Sequence, residues 1–257
     1  MKNIILPLLL FLSVTTYGQT HRKHLLHTDS TTDEHDTHLI VTSVSISSRN
    51  LWRGNVYGNN NPSMSGTLAM HLKNHFELGA TGTTPLNGSR DGFGIWMELY
   101  ASHTINRFTF TVDDYYFFNA KDSLNDYFNW NRKDTQHLIE TRLRYDSKNG
   151  RFNETTSTVL YAATGAVNHA YFEVEYYLIP KIFSVMAGCV LGKSALNFYD
   201  KGGVTHFGFT GYRDIVVTKD FTIPLHVSLI SSPNYMNASK YPAFTQNPIN
   251  IVVGIVL

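Results

Sequence analysis

The chain of 257 residues holds a single cysteine, Cys189, which excludes a disulfide framework and any paired-cysteine metal site. Charge is scarce too. Only 16% of residues are Asp, Glu, Lys or Arg, against about 25% in an ordinary soluble domain. Lys plus Arg number 21 and Asp plus Glu 20, a net charge of +1. There is thus no basic excess to hold a phosphate backbone and no polyacidic composition of the kind that keeps chains disordered. No apolar run reaches the ~18 residues that a spanning helix requires. Glycine-rich phosphate loops and nucleotide fingerprints are missing as well, so no cofactor is implied. What the chain does have is aromatic surface, with 15 Tyr and 16 Phe.

The first segment reads as an address. Met1 and Lys2 give a short positive start, Ile4 to Val14 form an apolar run, and Thr15, Thr16, Tyr17 and Gly18 supply a polar tail ending in a small residue. This is the pattern of a secretory signal peptide covering 1–18, and the apolar run is too short for a transmembrane anchor. Residues 19–38 carry His21, His24, His27, His35 and His38 among acidic and hydroxyl residues. Imidazoles at that density suit a transition metal. Without a fixed ligand spacing, however, the segment reads as a disordered periplasmic lead-in, and no metal site is assigned.

From residue 39 onward the period is two. Phe221, Ile223, Leu225, Val227 and Leu229 alternate with Thr222, Pro224, His226 and Ser228, and comparable alternation runs through Phe93 to Ser102 and Tyr171 to Leu178. Such a period places each set on one face of a strand. Twelve strands are expected near 39–48, 62–72, 75–82, 93–104, 107–118, 137–145, 151–162, 170–178, 182–192, 203–217, 221–231 and 247–257. Their connections alternate without exception between short turns and longer polar loops, the latter at 49–61, 83–92, 119–136, 163–169, 193–202 and 232–246. That alternation, an even strand count and strands of about 9–11 residues are the organisation of an outer-membrane barrel. The expected fold is all-β: a transmembrane antiparallel up-and-down β-barrel of about twelve strands over 39–257, in a bacterial outer membrane. The last strand, ending at Leu257, resembles the C-terminal signal read by the barrel assembly machinery.

The first loop opens with Ser48-Arg49-Asn50-Leu51-Trp52-Arg53-Gly54 and is followed by an F-E-L-G-A strand at Phe76 to Ala80. With Ser48, Arg49, Trp52, Arg53 and Gly54 in place, the chain resembles an uncharacterised family of bacterial outer-membrane proteins assigned as porins. The resemblance implies a signal peptide and an all-β barrel, and passive passage of small solutes as the activity. It brings no catalytic residues.

If apolar positions face lipid, the alternate positions face a lumen. That phase sends inward Glu77, Glu98, Asp113, Glu140, Glu173, Glu175 and Asp214, with Arg142 and Arg144 and with His71, His206 and His226. An acidic lumen of this kind favours cations or basic solutes if it is open. The same residues could instead form a structural Glu, Arg and Tyr network that merely solvates the interior. Arg53 either forms an inward salt bridge with a lumen carboxylate or remains a loop residue. Asp114 and Arg213 fall on the apolar face, so that either a β-bulge resets the phase or both lie near an interface. Trp52, Trp96, Tyr100, Tyr161, Tyr171, Tyr176, Tyr177 and the Tyr115 to Phe118 cluster supply either interfacial girdles or lumen packing.

The expected function is therefore a porin passing small solutes through an acidic polar lumen. The alternatives are a closed structural or accessory barrel acting through its extracellular loops and, third, a membrane-embedded hydrolase. No nucleophile motif surrounds His137, His206 or the Asp113-Asp114 pair, so no catalytic residue is assigned and the chain is expected not to be an enzyme. Outer-membrane lipid and the assembly machinery are the expected partners, and nucleic acid is not among them.

Overall fold

A computed structural model of the protein describes residues 39–58, 60–87, 94–118, 125–163, 170–194, 201–219, 221–233 and 247–257. The expected signal peptide and the His-rich lead-in lie outside the described residues. Every long element is a strand: β1 (Leu39–Ser47), β4 (Ser63–His71), β5 (Phe76–Pro85), β6 (Trp96–Ile105), β7 (Phe108–Phe117), β8 (His137–Asp146), β9 (Phe152–Tyr161), β10 (Ala170–Ile179), β11 (Phe183–Val190), β12 (Gly203–Val216), β13 (Thr222–Ser231) and β14 (Ile249–Val256). Two short strands, β2 (Asn50–Trp52) and β3 (Asn55–Tyr57), form a separate hairpin between β1 and β4.

The twelve long strands make one closed antiparallel barrel in which each pairs with its neighbours in sequence. Closure is made by β1 against β14, with Ser45 opposite Val256 and Ser47 opposite Gly254. Val44 N–H donates to the Leu257 carbonyl at 3.0 Å, and Leu257 N–H returns a bond to the Val44 carbonyl at 2.7 Å. Along this seam the two ends of the sheet pair with each other and leave no free edge. One end carries the short turns, including the Lys73–His75 turn of 3-10 helix between β4 and β5, and the β2–β3 hairpin stands at the other.

The two wall surfaces differ as the period of two requires. Leu68, Phe207, Ile251 and Leu160 project outward and are more than half exposed. The inward positions are hydroxyls and charges. Hydroxyl pairs bridge adjacent strands inside the barrel: Ser65 with Thr83 at 2.8 Å, Thr67 with Thr81 at 3.0 Å, Thr104 with Thr109 at 2.9 Å and Thr210 with Ser228 at 2.8 Å. Cross-strand pairs of this kind are worth roughly 0.2–1 kcal/mol each. The barrel is thus apolar outside and polar inside, the reverse of a water-soluble one. One inner apolar cluster interrupts the polar lining near the long-loop end. There Tyr115, Leu138, Val159 and Ala162 pack with Trp52, Trp96 and Phe117.

Asp114 does lie on the outer face, and no bulge in β7 puts it there. The β7 register is regular on both sides, and the nearby irregularity belongs to the β8–β9 pair, between Ile139 and Glu140. Asp114 is covered instead. The described residues 125–136 of the connection after β7 cover it from outside, where Tyr127 donates its hydroxyl to Asp114 Oδ2 at 3.0 Å. His137 Nδ1 sits 2.8 Å from Asp114 Oδ1, and its Nε2 lies 2.5 Å from the Tyr127 carbonyl. Trp130 stacks flat on the His137 ring at 3.8 Å. Burial and the Asp114 carboxylate push the Tyr127 phenol up to about 12. Arg213 is the simpler case: it is exposed near the turn end of β12.

The Tyr115 to Phe118 cluster, read as interfacial girdle or lumen packing, divides between the two faces. Tyr115 turns into the inner cluster, while Tyr116, on the outer face, is 1% exposed beneath Tyr127 and His137. Of the expected set, Tyr176 and Phe118 stand exposed.

Two outcomes follow from this packing. A Cβ at Gly208 would abut the Leu229 carbonyl and lie 2.9 Å from Ile230 Cα on β13, so Gly208→Val is expected to cost about 1–3 kcal/mol by overpacking. Heat-modifiable gel mobility should then convert at a lower temperature than for the parent chain. His137→Ala should release the connection from the outer wall, and trypsin cleavage after the exposed Arg132 and Lys133, followed by mass spectrometry of the folded barrel, should accelerate several-fold.

Candidate functional site

The S-R-x-x-W-R-G segment builds a structure across the lumen. Beyond Ser47 the chain leaves the wall: Ser47 Oγ donates to the Arg49 carbonyl at 2.9 Å, Val253 N–H donates to Ser48 Oγ at 3.0 Å, and Arg49 Nη1 donates to Asn250 Oδ1 at 2.9 Å. These contacts fix the base of the β2–β3 hairpin. Its tip is the two-residue turn Arg53-Gly54, with φ of +50° and +82°. Positive φ at both central residues is the primed geometry that matches strand twist in tight hairpins. Gly54 is required for space as well as for φ. A Cβ there would abut the Thr205 carbonyl on β12 and lie 3.0 Å from His206 Cβ. The Gly54 carbonyl accepts a bond from Ser232 Oγ at 2.7 Å. On the hairpin's return strand, Val56 is fully buried and Tyr57 nearly so.

Arg53 reaches the opposite arc of the wall. Its Nη1 and Nη2 donate to Glu140 Oε1 and Oε2 at 2.8 and 2.7 Å, a bidentate pair, and Nη2 also donates to Ser157 Oγ at 3.1 Å. Ser157 in turn donates to Glu140 Oε1 at 2.7 Å. The guanidinium carbon lies 4.2 Å from the Tyr171 ring centroid and 4.6 Å from that of Trp52. One planar cation is thus held by a carboxylate on β8, a hydroxyl on β9 and an aromatic face on β10. Burial works against the charge, and Glu140 more than offsets it, holding the guanidinium above its ordinary pKa. Because Glu140 is completely buried, removing either partner would strand an uncompensated charge.

Beside this pin sits a second group. Arg142 Nη2 donates to Asp113 Oδ1 at 2.8 Å and lies 3.7 Å from Glu98 Oε1. Glu98, Asp113, Glu140 and Arg142, together with Arg53, therefore form one charged constellation at the long-loop half of the barrel.

The other inward carboxylates are held separately. Glu173 accepts from the Tyr171 hydroxyl and lies 3.4 Å from His206 Nε2. Glu175 accepts from Ser184 Oγ at 2.7 Å, Tyr212 at 2.9 Å, Asn153 Nδ2 at 3.0 Å and Tyr177 at 3.1 Å. Glu77 accepts from Tyr100 at 2.7 Å and lies 3.0 Å from His71 Nδ1. Arg144 pairs with Asp146 at 2.8 Å. Asp214 follows the inward phase but is exposed at the turn end of β12 and joins none of these groups.

Sequence phase alone placed the carboxylates but missed the hairpin, Ser157 and the Tyr171 face. The available signal was Arg-Gly flanked by Asn-Leu-Trp and Asn-Val-Tyr, a possible two-residue turn between short strands. Among the described residues no group of His, Cys, Asp and Glu could hold a metal ion.

Arg53→Ala is expected to destabilise the barrel by about 3–5 kcal/mol, because Glu140 is left buried and unpaired. Combining it with Glu140→Gln should recover a substantial part of that loss. Chemical unfolding in detergent micelles, followed by tryptophan fluorescence, measures both variants against the parent.

No protein-family model matches the chain, and no curated protein or solved structure matches it.

Proposed function

We propose that the protein is an outer-membrane β-barrel of the porin type, passing small solutes through a polar, acidic lumen that the β2–β3 hairpin narrows at its long-loop end. The observation carrying this reading is the inverted wall. Large apolar side chains such as Ile40, Leu68, Phe207 and Ile251 stand exposed outside, while the charges and hydroxyls are turned in. Soluble monomers rarely expose contiguous apolar patches beyond a few hundred Å². A bilayer, by contrast, accepts a closed apolar wall because ladder pairing between strands satisfies their backbone groups. Its lipid is then one partner, and the assembly machinery that inserts barrels is another.

The polar interior supports passage, since a barrel of twelve strands lies between the filled small barrels and the wide porins. The inward acidic residues would favour cationic over anionic solutes. The chain is read as a conduit without catalytic chemistry.

A second reading is a closed structural barrel acting through its outer loops. It is favoured by one observation, the complete burial of Asp113 and Glu140 behind the hairpin.

Reconstitution in planar bilayers separates the two. The porin reading expects small, cation-selective conductance from the parent chain and a several-fold increase when residues 50–57 are replaced by a flexible glycine-serine linker. Folded protein that conducts in neither form at any voltage would overturn it in favour of the closed barrel.

A further inference from the structure

We infer that the wall pocket occupied by Arg53 is a binding site for free guanidinium-bearing solutes, with Arg53 acting as a tethered occupant. The inference rests on the porin reading for the route by which a solute reaches the pocket.

The recognising parts belong to the wall and not to the hairpin. Glu140 presents both carboxylate oxygens to the guanidinium, at 2.8 and 2.7 Å from two different nitrogens. Ser157 accepts from the same edge at 3.1 Å while fixing Glu140 Oε1 through its own proton. Tyr171 offers its ring face at 4.2 Å. Two parallel N–H···O bonds and a flat aromatic neighbour distinguish a planar guanidinium from a compact ammonium. The neighbouring Asp113 is already paired with Arg142, so Glu140 is the carboxylate that depends on an outside cation.

The occupant itself is poorly anchored by its own backbone. Arg53 adopts φ of +50°, a left-handed conformation uncommon for a residue other than glycine. It sits at the tip of a hairpin whose two strands have three residues each. Two-stranded ribbons of that size are marginal alone, so the hairpin's position depends on its contacts with the wall, among which the grip of Arg53 on Glu140 is the charged one. A solute carrying the same planar cation would compete for the same grip. The pocket would then hold the hairpin in the lumen when empty of solute and release it when a solute takes Glu140.

The test uses the full chain with Arg53→Gly, which removes the guanidinium and suits the left-handed backbone. Methylguanidinium is the probe, ammonium at equal ionic strength the control, and the temperature of the heat-modifiable gel transition the readout. The expected result is a rise of roughly 5 °C at saturating methylguanidinium, no comparable rise with ammonium, and loss of the effect when Glu140→Gln is added. Equal effects of the two cations, persistence without the Glu140 charge, or no rise at all would overturn the site. Should the Arg53→Gly chain not fold, the variant carrying a glycine-serine linker over 50–57 exposes the same pocket, and an unchanged transition there overturns it equally. Bilayer conductance of the same samples keeps the two proposals apart. Stabilisation without conductance leaves the site and removes the porin reading; conductance without stabilisation does the reverse.

Discussion

Everything in this molecule follows from closing the backbone ladder on itself. Once β1 pairs with β14, each strand has two neighbours and each residue has one of two directions, outward or inward. The side-chain period of two then ceases to be a local pattern. It becomes a partition of the whole chain into two surfaces of opposite character. On the outer-membrane reading, a near-neutral chain with 16% charge can satisfy a bilayer and an aqueous lumen together only if that partition is kept in every strand. Exceptions must therefore be covered, as Asp114 is by Tyr127 and His137, or lie at a rim, as Arg213 does.

The partition creates a second problem inside. Carboxylates drawn inward from different strands cannot all share a narrow space without partners, and burial makes each unpaired charge costly. The structure answers with local solutions of different kinds. Glu175 is surrounded by neutral donors from Ser184, Tyr212, Tyr177 and Asn153, which saturate it without a cation. Asp113 takes Arg142 from the adjacent strand. Glu140 has Ser157 beside it, and its cation comes from another part of the chain, at the tip of a hairpin that crosses the lumen. The hairpin also packs against the inner apolar cluster through Trp52.

These solutions were not equally legible in the sequence. All twelve barrel strands could be placed to within a few residues because alternation is long, local and reinforced by β-branched and aromatic residues. The inward phase of Glu98, Asp113, Glu140 and Arg142 follows from the same alternation. The destination of the first loop does not. Residues 49–61 carry the Asn and Gly of an ordinary polar connection, and nothing local says whether a connection folds away from the barrel or into it. That choice depends on a match between distant positions: Gly54 against Thr205, Ser232 against the Gly54 carbonyl, Arg53 against Glu140. Aromatic direction failed for a related reason. Tyr115 and Tyr116 are adjacent and chemically identical, so composition suggests one girdle, whereas strand geometry sends one into the core cluster and the other beneath an outer loop.

A charged pin is a peculiar way to hold a plug. Hydrophobic side chains of similar volume would fix a hairpin at least as firmly, since burying an ion pair forfeits the hydration of both ions. They would also fix it without reversibility, because nothing dissolved in an aqueous lumen replaces a packed aliphatic side chain. An ion pair differs in that its partners remain attractive to other solutes. If the guanidinium leaves Glu140, water, a proton or another cation can compensate the carboxylate. The hairpin's other contacts include the hydroxyl bond at Gly54, the Arg49–Asn250 bond at its base, close backbone packing on β12 and the aromatic contacts of Trp52. On the porin reading, the Trp52-Arg53-Gly54 sequence therefore divides its labour: an aromatic seat, an exchangeable charge and a turn thin enough to lie against the far wall. That combination suits a latch, where an aliphatic tip would have made a rivet.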